Sequence, residues 1–372
     1  MKVLIPNTYL MTFNLPEEVR AYATVGRFYN LARIWQAADA IAAYLPVPSC
    51  QVVHFMNRIP LATTKPWVIS FESGLPRTHN RSRALGKLMR ERLLSDRCLR
   101  LIAMSQWASG IFQLENHDWK KLPRALAKLS VIYPTVPAKR NVPKQLKKGE
   151  TLEIAFVGNE LARKGGIVAL RLAKKAADMG LNIKVHIVSA MNYTWGSLLD
   201  HPDLGLYAAD MKYLDLPNVM VHGALPNDQV HELLARSHLL LLATLQETFG
   251  FSVLEGFAWG VPAMTTNICA LPEMVTTGEN GFLLQIEKDE RNGWAGLRAL
   301  KSDYWPVLNK AYDSMSEQAL QCVLQMLDEP ELLERLSCGA IETLRTKFNP
   351  VEAARALEEI YSKSTASLLS HK

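Results

Sequence analysis

"ETFGFSVLEGFAWGVPAMTTNICALPE", residues 247–273, places two carboxylates, Glu247 and Glu255, eight positions apart around a Thr-Phe-Gly turn. Thr248-Phe249-Gly250 interrupts any periodicity, and the apolar residues that follow, Val253, Leu254, Phe257 and Ala258, have helical spacing. The stretch therefore predicts that Glu247 ends a loop. It also predicts that Glu255 lies in the first turns of a helix stopped by Gly260-Val261-Pro262.

Outward from this stretch, apolar strand-like runs alternate with helical patterns. "EIAFVG" (153–158), "NIKVHIVS" (182–189), "VMVHGAL" (219–225), "HLLLLAT" (238–244), "PAMTT" (262–266) and "GFLLQ" (281–285) read as strands. The first is followed by a Gly-bearing loop, "NELARKGG", and a helix, "IVALRLAKKAADMG". This rhythm implies a parallel sheet with helices on both faces, a class that binds ligands at the carboxyl ends of its strands. The first half has fewer clear strands: "KVLIP", "CQVVHFM", "WVISFE", "RLIAMS" and "LSVIYP". They too alternate with helical stretches, so a second α/β domain is expected. "YPTVPAKRNVPKQLKKGET" (133–151) reads as the linker, and "NPVEAARALEEIYSK" as a helix with an Asn349 cap and Pro350 at its first position.

The chain has 372 residues, about two domains by length. No apolar run approaches the roughly 18 residues of a membrane span, and "MKVLIPNTYLMTFN" lacks an apolar h-region, so a secretory leader is not expected. The five cysteines form no Cys-x-x-Cys pair, which fits a reducing, cytoplasmic setting without disulfides or structural zinc. Charge is unevenly shared: residues 1–150 hold 23 Lys+Arg against 9 Asp+Glu, a net of +14, and the remainder holds 19 against 27, a net of −8. The basic half could meet nucleic acid, anionic lipid or phosphorylated ligands.

The stretch E-x-F-G-x4-E-G-x-A-x-G-x-P, with "LPEMV…GENGFLL" downstream and "FVGNELARKGG" upstream, resembles the family 4 retaining glycosyltransferases, the "glycosyl transferases group 1", of the GT-B architecture. The match covers about residues 150–290; "AMSQWA" and "SVIYPTV" carry a more general likeness in the first half. The resemblance implies two Rossmann-like domains facing each other across a cleft. An acceptor domain would span residues 1–145, joined by a C-terminal helix at 350–366, and a donor domain residues 150–345. It implies transfer of a sugar from a UDP- or GDP-linked donor to a glycan, polysaccharide or glycolipid hydroxyl, with lipopolysaccharide-core enzymes among the relatives. No separate cofactor is implied, since the nucleotide sugar is itself the donor substrate.

Carried onto this chain, Glu247 holds a hydroxyl of the donor sugar and Glu255 accepts from the ribose diol, as acceptor-only carboxylates can. The backbone N–H groups of Phe249, Gly250 and Phe251 face the phosphates at a helix start. Gly158 and Asn159 belong to the phosphate loop, although the family usually has Arg directly after that Gly. Lys164 is the phosphate contact, and Arg163 either supplies the missing guanidinium or points at solvent. Before Glu273 the family often has Gly-Gly where this chain has Cys269-Ala270, so Glu273 is open to a structural or a binding role. No Asp-x-Asp and no His/Cys cluster with metal spacing occurs, so the expected transferase is metal-independent.

On the acceptor side, Asn57 and Arg58 follow one expected strand, and Glu72 and Ser73 follow another. Glu72 reads as a general base, an acceptor-hydroxyl ligand or a helix-capping carboxylate. The Gly-rich loop found near the start of many relatives is not evident in "PNTYLMTFNLPEE". "RTHNRSRALGKLMRERLLSDRCLR" (77–100) carries eight Lys and Arg around an apolar stripe of Leu85, Leu88, Met89 and Leu93. It reads as a solvated Rossmann helix or as a patch that seats the enzyme peripherally on the inner, anionic face of a membrane. Two other readings stay open: a sugar-nucleotide epimerase-like enzyme on the same fold, and a non-enzymatic nucleic-acid binder. Against the second, no nucleic-acid module is present and the basic residues are not interleaved with stacking aromatics.

Overall fold

The computed structural model describes residues 2–7, 15–20, 22–191, 200–298 and 304–369. Most of the stretch read for a Gly-rich loop, residues 8–14, lies outside them. The chain forms two units, Met1–Pro137 with Lys347–Lys372, and Ala138–Thr346.

The first unit contains β1 (Val3–Pro6), β2 (Ala23–Gly26), β3 (Phe28–Tyr29), β4 (Ile41–Tyr44), β5 (Val52–Met56), β6 (Ile59–Pro60), β7 (Trp67–Phe71), β8 (Cys98–Ala103) and β9 (Leu129–Val131). Its main sheet is parallel, in the order β2-β1-β5-β7-β8-β9. Every residue of β5 and β7 is buried, the mark of strands covered on both faces. Five of the main-sheet strands correspond to the runs read from the sequence. β2 and the small β3-β4-β6 sheet were not read, because they are two to four residues long and mostly half-exposed or flanked by Pro.

The helix Pro350–Leu369 belongs to this unit. Asn349 caps it, its Oδ1 accepting from Val351 N at 2.9 Å. From it Tyr361 reaches the sheet, with its hydroxyl 2.6 Å from His54 Nδ1, while His54 Nε2 lies 2.7 Å from Ser70 Oγ. Burial holds the His54 ring far below its ordinary range, at about 3, so it is neutral and its two nitrogens form one donor and one acceptor contact.

The second unit has six parallel strands: β10 (Leu152–Val157), β11 (Ile183–Val188), β12 (Val219–Gly223), β13 (Leu239–Leu242), β14 (Ala263–Thr266) and β15 (Gly281–Leu284). Their order is β12-β11-β10-β13-β14-β15. The helix Gly166–Asp178 buries Ile167, Leu170, Leu172 and Ala173 in a core shared with Leu308, Tyr312 and Met315 of the helix Tyr304–Asp328.

The segment 133–151 is not a free linker. Past the unit boundary, the backbone N–H groups of Lys139 and Arg140 both donate to Ala258 O. Lys144 is buried, and its Nζ donates to the carbonyls of Leu234 and Ala235 at the C-terminus of the helix Asn227–Arg236. The Pro- and Lys-rich composition suggested a solvated tether, but one of its lysines closes a helix end.

Candidate donor site in the second unit

β10 pairs with β13 on one side and β11 on the other, so the chain leaves the carboxyl ends of β10 and β13 where the strand order reverses. Two loops meet there, 158–165 and 243–250. In the first, a Cβ on Gly158 would lie 2.7 Å from Lys164 Cβ, so the bare glycine lets Lys164 fold back over the strand end. Exposed Asn159 offers its carbonyl to Ser189 Oγ at 3.1 Å, tying the loop to the end of β11. Gly165 adopts φ +93°, and a Cβ there would sit 2.4 Å from Ala243 O. A helix N-terminus thus rests directly on the backbone that leaves β13.

The second loop is stitched to the first by Thr244, whose Oγ1 donates to Arg163 O at 3.1 Å or Gln246 O at 2.9 Å. The crossing contact is the ion pair of Lys164 Nζ with Glu247 Oε2, whose side chains are 21% and 11% exposed. Arg163 does not simply point at solvent: its Nε pairs with Glu160 Oε2. The helix Phe251–Ala258 then starts from Gly250 at φ +106°. Loop, glycine turn and helix fall where the sequence places them. The Phe249 ring is fully buried and packs on Phe251 at 5.4 Å, so Phe249 has only its backbone to offer a ligand.

Glu255 sits one turn into this helix and is 5% exposed. Its Oε1 is sealed from solvent and has no hydrogen-bond partner, and burial pushes the carboxyl up to about 7. Cys269 adopts φ +50°, so this chain keeps a left-handed backbone there without glycine. Burial pushes the Cys269 thiol up to about 11; its sulfur lies against the Glu247 backbone. Glu273 is half-buried at the end of the short turn Leu271–Glu273.

Two residues at this site carried no sequence signal. Thr244 is one. Asp200 is the other: both carboxylate oxygens are buried without a partner, and burial, then repulsion from Glu160, lifts it to about 6 against the pull of Arg163.

Glu72 belongs to the first unit, apart from these residues. It follows β7, and its Oε1 accepts from Asn57 Nδ2 at 3.1 Å and Arg77 at 3.0 Å. Asn57 follows β5 in the left-handed region at φ +61°. Arg58 and Arg77 both pair with Asp39, as does His79 Nε2 at 3.1 Å. Asp39 and His79 were not singled out from the sequence, being far from Glu72 in the chain or inside the basic stretch.

The chain is 28% identical over 122 residues to N-acetyl-alpha-D-glucosaminyl L-malate synthase of Bacillus anthracis, covering 33% of this chain and 30% of that protein. It is 28% identical over 138 residues to an uncharacterized 41.2 kDa protein in the cps region of Klebsiella pneumoniae, covering 37% and 34%. The matched part thus spans about a third of these curated relatives.

Solved structures match over nearly the whole chain. A Rickettsia africae glycosyltransferase has TM-score 0.61 and 15% identity over 98% of each chain. Anabaena Alr3699/HepE in complex with UDP has TM-score 0.64 and 14% identity over 98% of this chain and 100% of its own. At such identity these are likenesses of fold, and the fold is two Rossmann-like α/β units of the GT-B class. Residues 138–321, which contain the whole of the donor-site geometry above, match the family described as Glycosyl transferases group 1.

Proposed function

We propose that the chain is a retaining glycosyltransferase that moves a sugar from a nucleoside-diphosphate sugar to a hydroxyl of a glycan, polysaccharide or glycolipid. The observation that carries this reading is Glu255: a buried carboxylate with an unused oxygen, one turn into the helix that starts at Phe251. A protein gains nothing in stability from such a group. A ribose hydroxyl supplies the O–H donor that Oε1 lacks.

The remaining roles follow from the same geometry. Lys164, already at the crossing of the two loops, turns to the diphosphate, and Glu247, its partner, takes a hydroxyl of the donor sugar. Arg163 adds a second cation once the diphosphate competes with Glu160 for it. The helix starts after Gly165 and Gly250 aim partial positive charge at the same place, with Phe249, Gly250 and Phe251 supplying backbone and Gly158 and Asn159 the floor. These groups stabilise the leaving diphosphate without calling on a metal ion. The resemblance adds front-face attack assisted by the donor's own phosphate. UDP is the first nucleotide to test, because UDP occupies Alr3699/HepE. Glu72, held by Asn57 and Arg77, is assigned to an acceptor hydroxyl.

The test is release of nucleoside diphosphate from UDP-, GDP- and ADP-sugars by the wild-type chain and by Glu247→Ala, with the anomeric configuration of the product read by NMR. The reading expects one donor to turn over with retention and the variant to be inactive but folded. Release that is equal in wild type and variant, or inversion, contradicts it.

A further inference from the structure

The first unit carries a cavity of about 750 Å³, lined by one face of the helix Arg83–Leu93, by the segment just before it, and by Glu115, His117 and Asp118. Arg83 and Lys87 stand one turn apart on that face, and neither has a hydrogen-bond or ion-pair partner among the described residues. Arg90 follows one turn on; it pairs with Asp118 at 3.0 Å, and its Nε–H is buried without an acceptor. Pairing with Arg90 offsets the Asp118 charge, and Glu115, also at the rim, has a partner of its own. Two uncommitted cations therefore face the cavity.

Between them on the helix stands half-buried Gly86. Glycine is the poorest helix-interior residue short of proline. Crowding does not require it here, since a Cβ would meet only Thr78, at 3.9–4.0 Å. A glycine that costs helix stability, relieves no clash and lines a cavity between two unpaired cations is accounted for by a ligand that approaches the helix closely.

We propose that this cavity binds a phosphate group, as a monoester or diester, with Arg83 and Lys87 as its counter-charges and Gly86 as its floor. The helix offers the anion only donors, on one face and one turn apart, which suits an oxyanion. The group could be carried by a lipid headgroup or by a soluble phosphate. The site lies in a different unit from Lys164 and Glu255, so it stands apart from the donor reading.

Inorganic phosphate is titrated calorimetrically against the full chain at low, chloride-matched ionic strength. Wild type is expected to bind saturably, with affinity reduced at least tenfold in the Arg83→Gln/Lys87→Gln double variant. Gly86→Ala should raise the Tm of the ligand-free chain while weakening phosphate binding several-fold, a pair of effects that a solvated helix does not produce. Co-sedimentation with phosphatidic acid vesicles, against phosphatidylcholine alone, identifies the source. Binding lost in the double variant marks a headgroup, and binding of inorganic phosphate without vesicles marks a soluble one. Absence of saturable binding to either probe overturns the proposal. So does equal binding by the double variant, or unchanged phosphate affinity in Gly86→Ala.

Discussion

Glu255 is a buried carboxyl that costs stability where it is charged. Its carboxyl is raised from 4.5 to about 7, so the folded chain favours the protonated form. The associated stability is therefore full below 4.5 and is lost as pH rises toward 7. Glu255→Gln removes the charge while keeping the shape. It is expected to leave stability unchanged at pH 4.5 and to raise it at pH 8, by up to about 3 kcal/mol. The same variant should lose affinity for a nucleoside diphosphate. Thermal melts at the two pH values check the first effect, and equal melts at pH 8 contradict it. Lys164 and Glu247 behave oppositely, since each satisfies the other in the ligand-free chain. Lys164→Ala therefore strands a buried carboxylate, and a loss of about 1–3 kcal/mol in denaturant unfolding is expected alongside any loss of binding.

At the scale of elements, the glycine at the start of the helix Gly166–Asp178 fixes where that helix can sit. Gly165→Ala forces a Cβ against Ala243 O from a left-handed backbone, and a loss of about 2–4 kcal/mol is expected, read by urea unfolding. In the first unit the helix Pro350–Leu369 is tied to the sheet by Tyr361, and Tyr361→Phe leaves a His54 ring nitrogen unpaired in the core. A cost of about 1–2 kcal/mol is expected in the same measurement; no change would mean the contact holds nothing.

Elements of this kind divide into those the sequence shows and those it does not. All six strands of the second sheet were legible, because fully buried parallel strands such as "HLLLLAT" are continuous apolar runs between helices. The loop–glycine–helix arrangement at 247–258 was legible because a Thr-Phe-Gly turn precedes apolar residues at helical spacing. β2 and β3 were not, since they are short and lack alternation. The segment 133–151 reads as a linker because composition cannot tell a solvated lysine from one that, like Lys144, closes a helix. Thr244 and Asp39 are single polar residues with partners far off in the chain, and Asp200 is buried without one, so their roles appear only in the fold.

At the scale of the molecule, the two sheets are not copies. Counting only strands within each sheet, the second runs 3-2-1-4-5-6 and the first 2-1-3-4-5-6. The reversal in the second falls between β10 and β13, beside Lys164 and Glu247. In the first it falls between β1 and β5, and residues 8–14, which follow β1, lie outside the described residues. The candidate site of the second unit is therefore described in detail, while in the first unit the description rests on Glu72 and its neighbours. No helix among the described residues is long and apolar enough to cross a membrane.

The central claim is that the second unit holds a nucleoside diphosphate through Lys164 and Glu255, and calorimetric titration of UDP against uridine tests it most directly. Wild type should bind UDP far more tightly than uridine. Lys164→Ala should weaken UDP about tenfold or more while changing uridine little, as loss of a charged contact of about 1.5–3 kcal/mol requires. Glu255→Gln should weaken both. If UDP and GDP bind no better than their nucleosides, or if both variants bind as wild type does, the second unit is not the donor site.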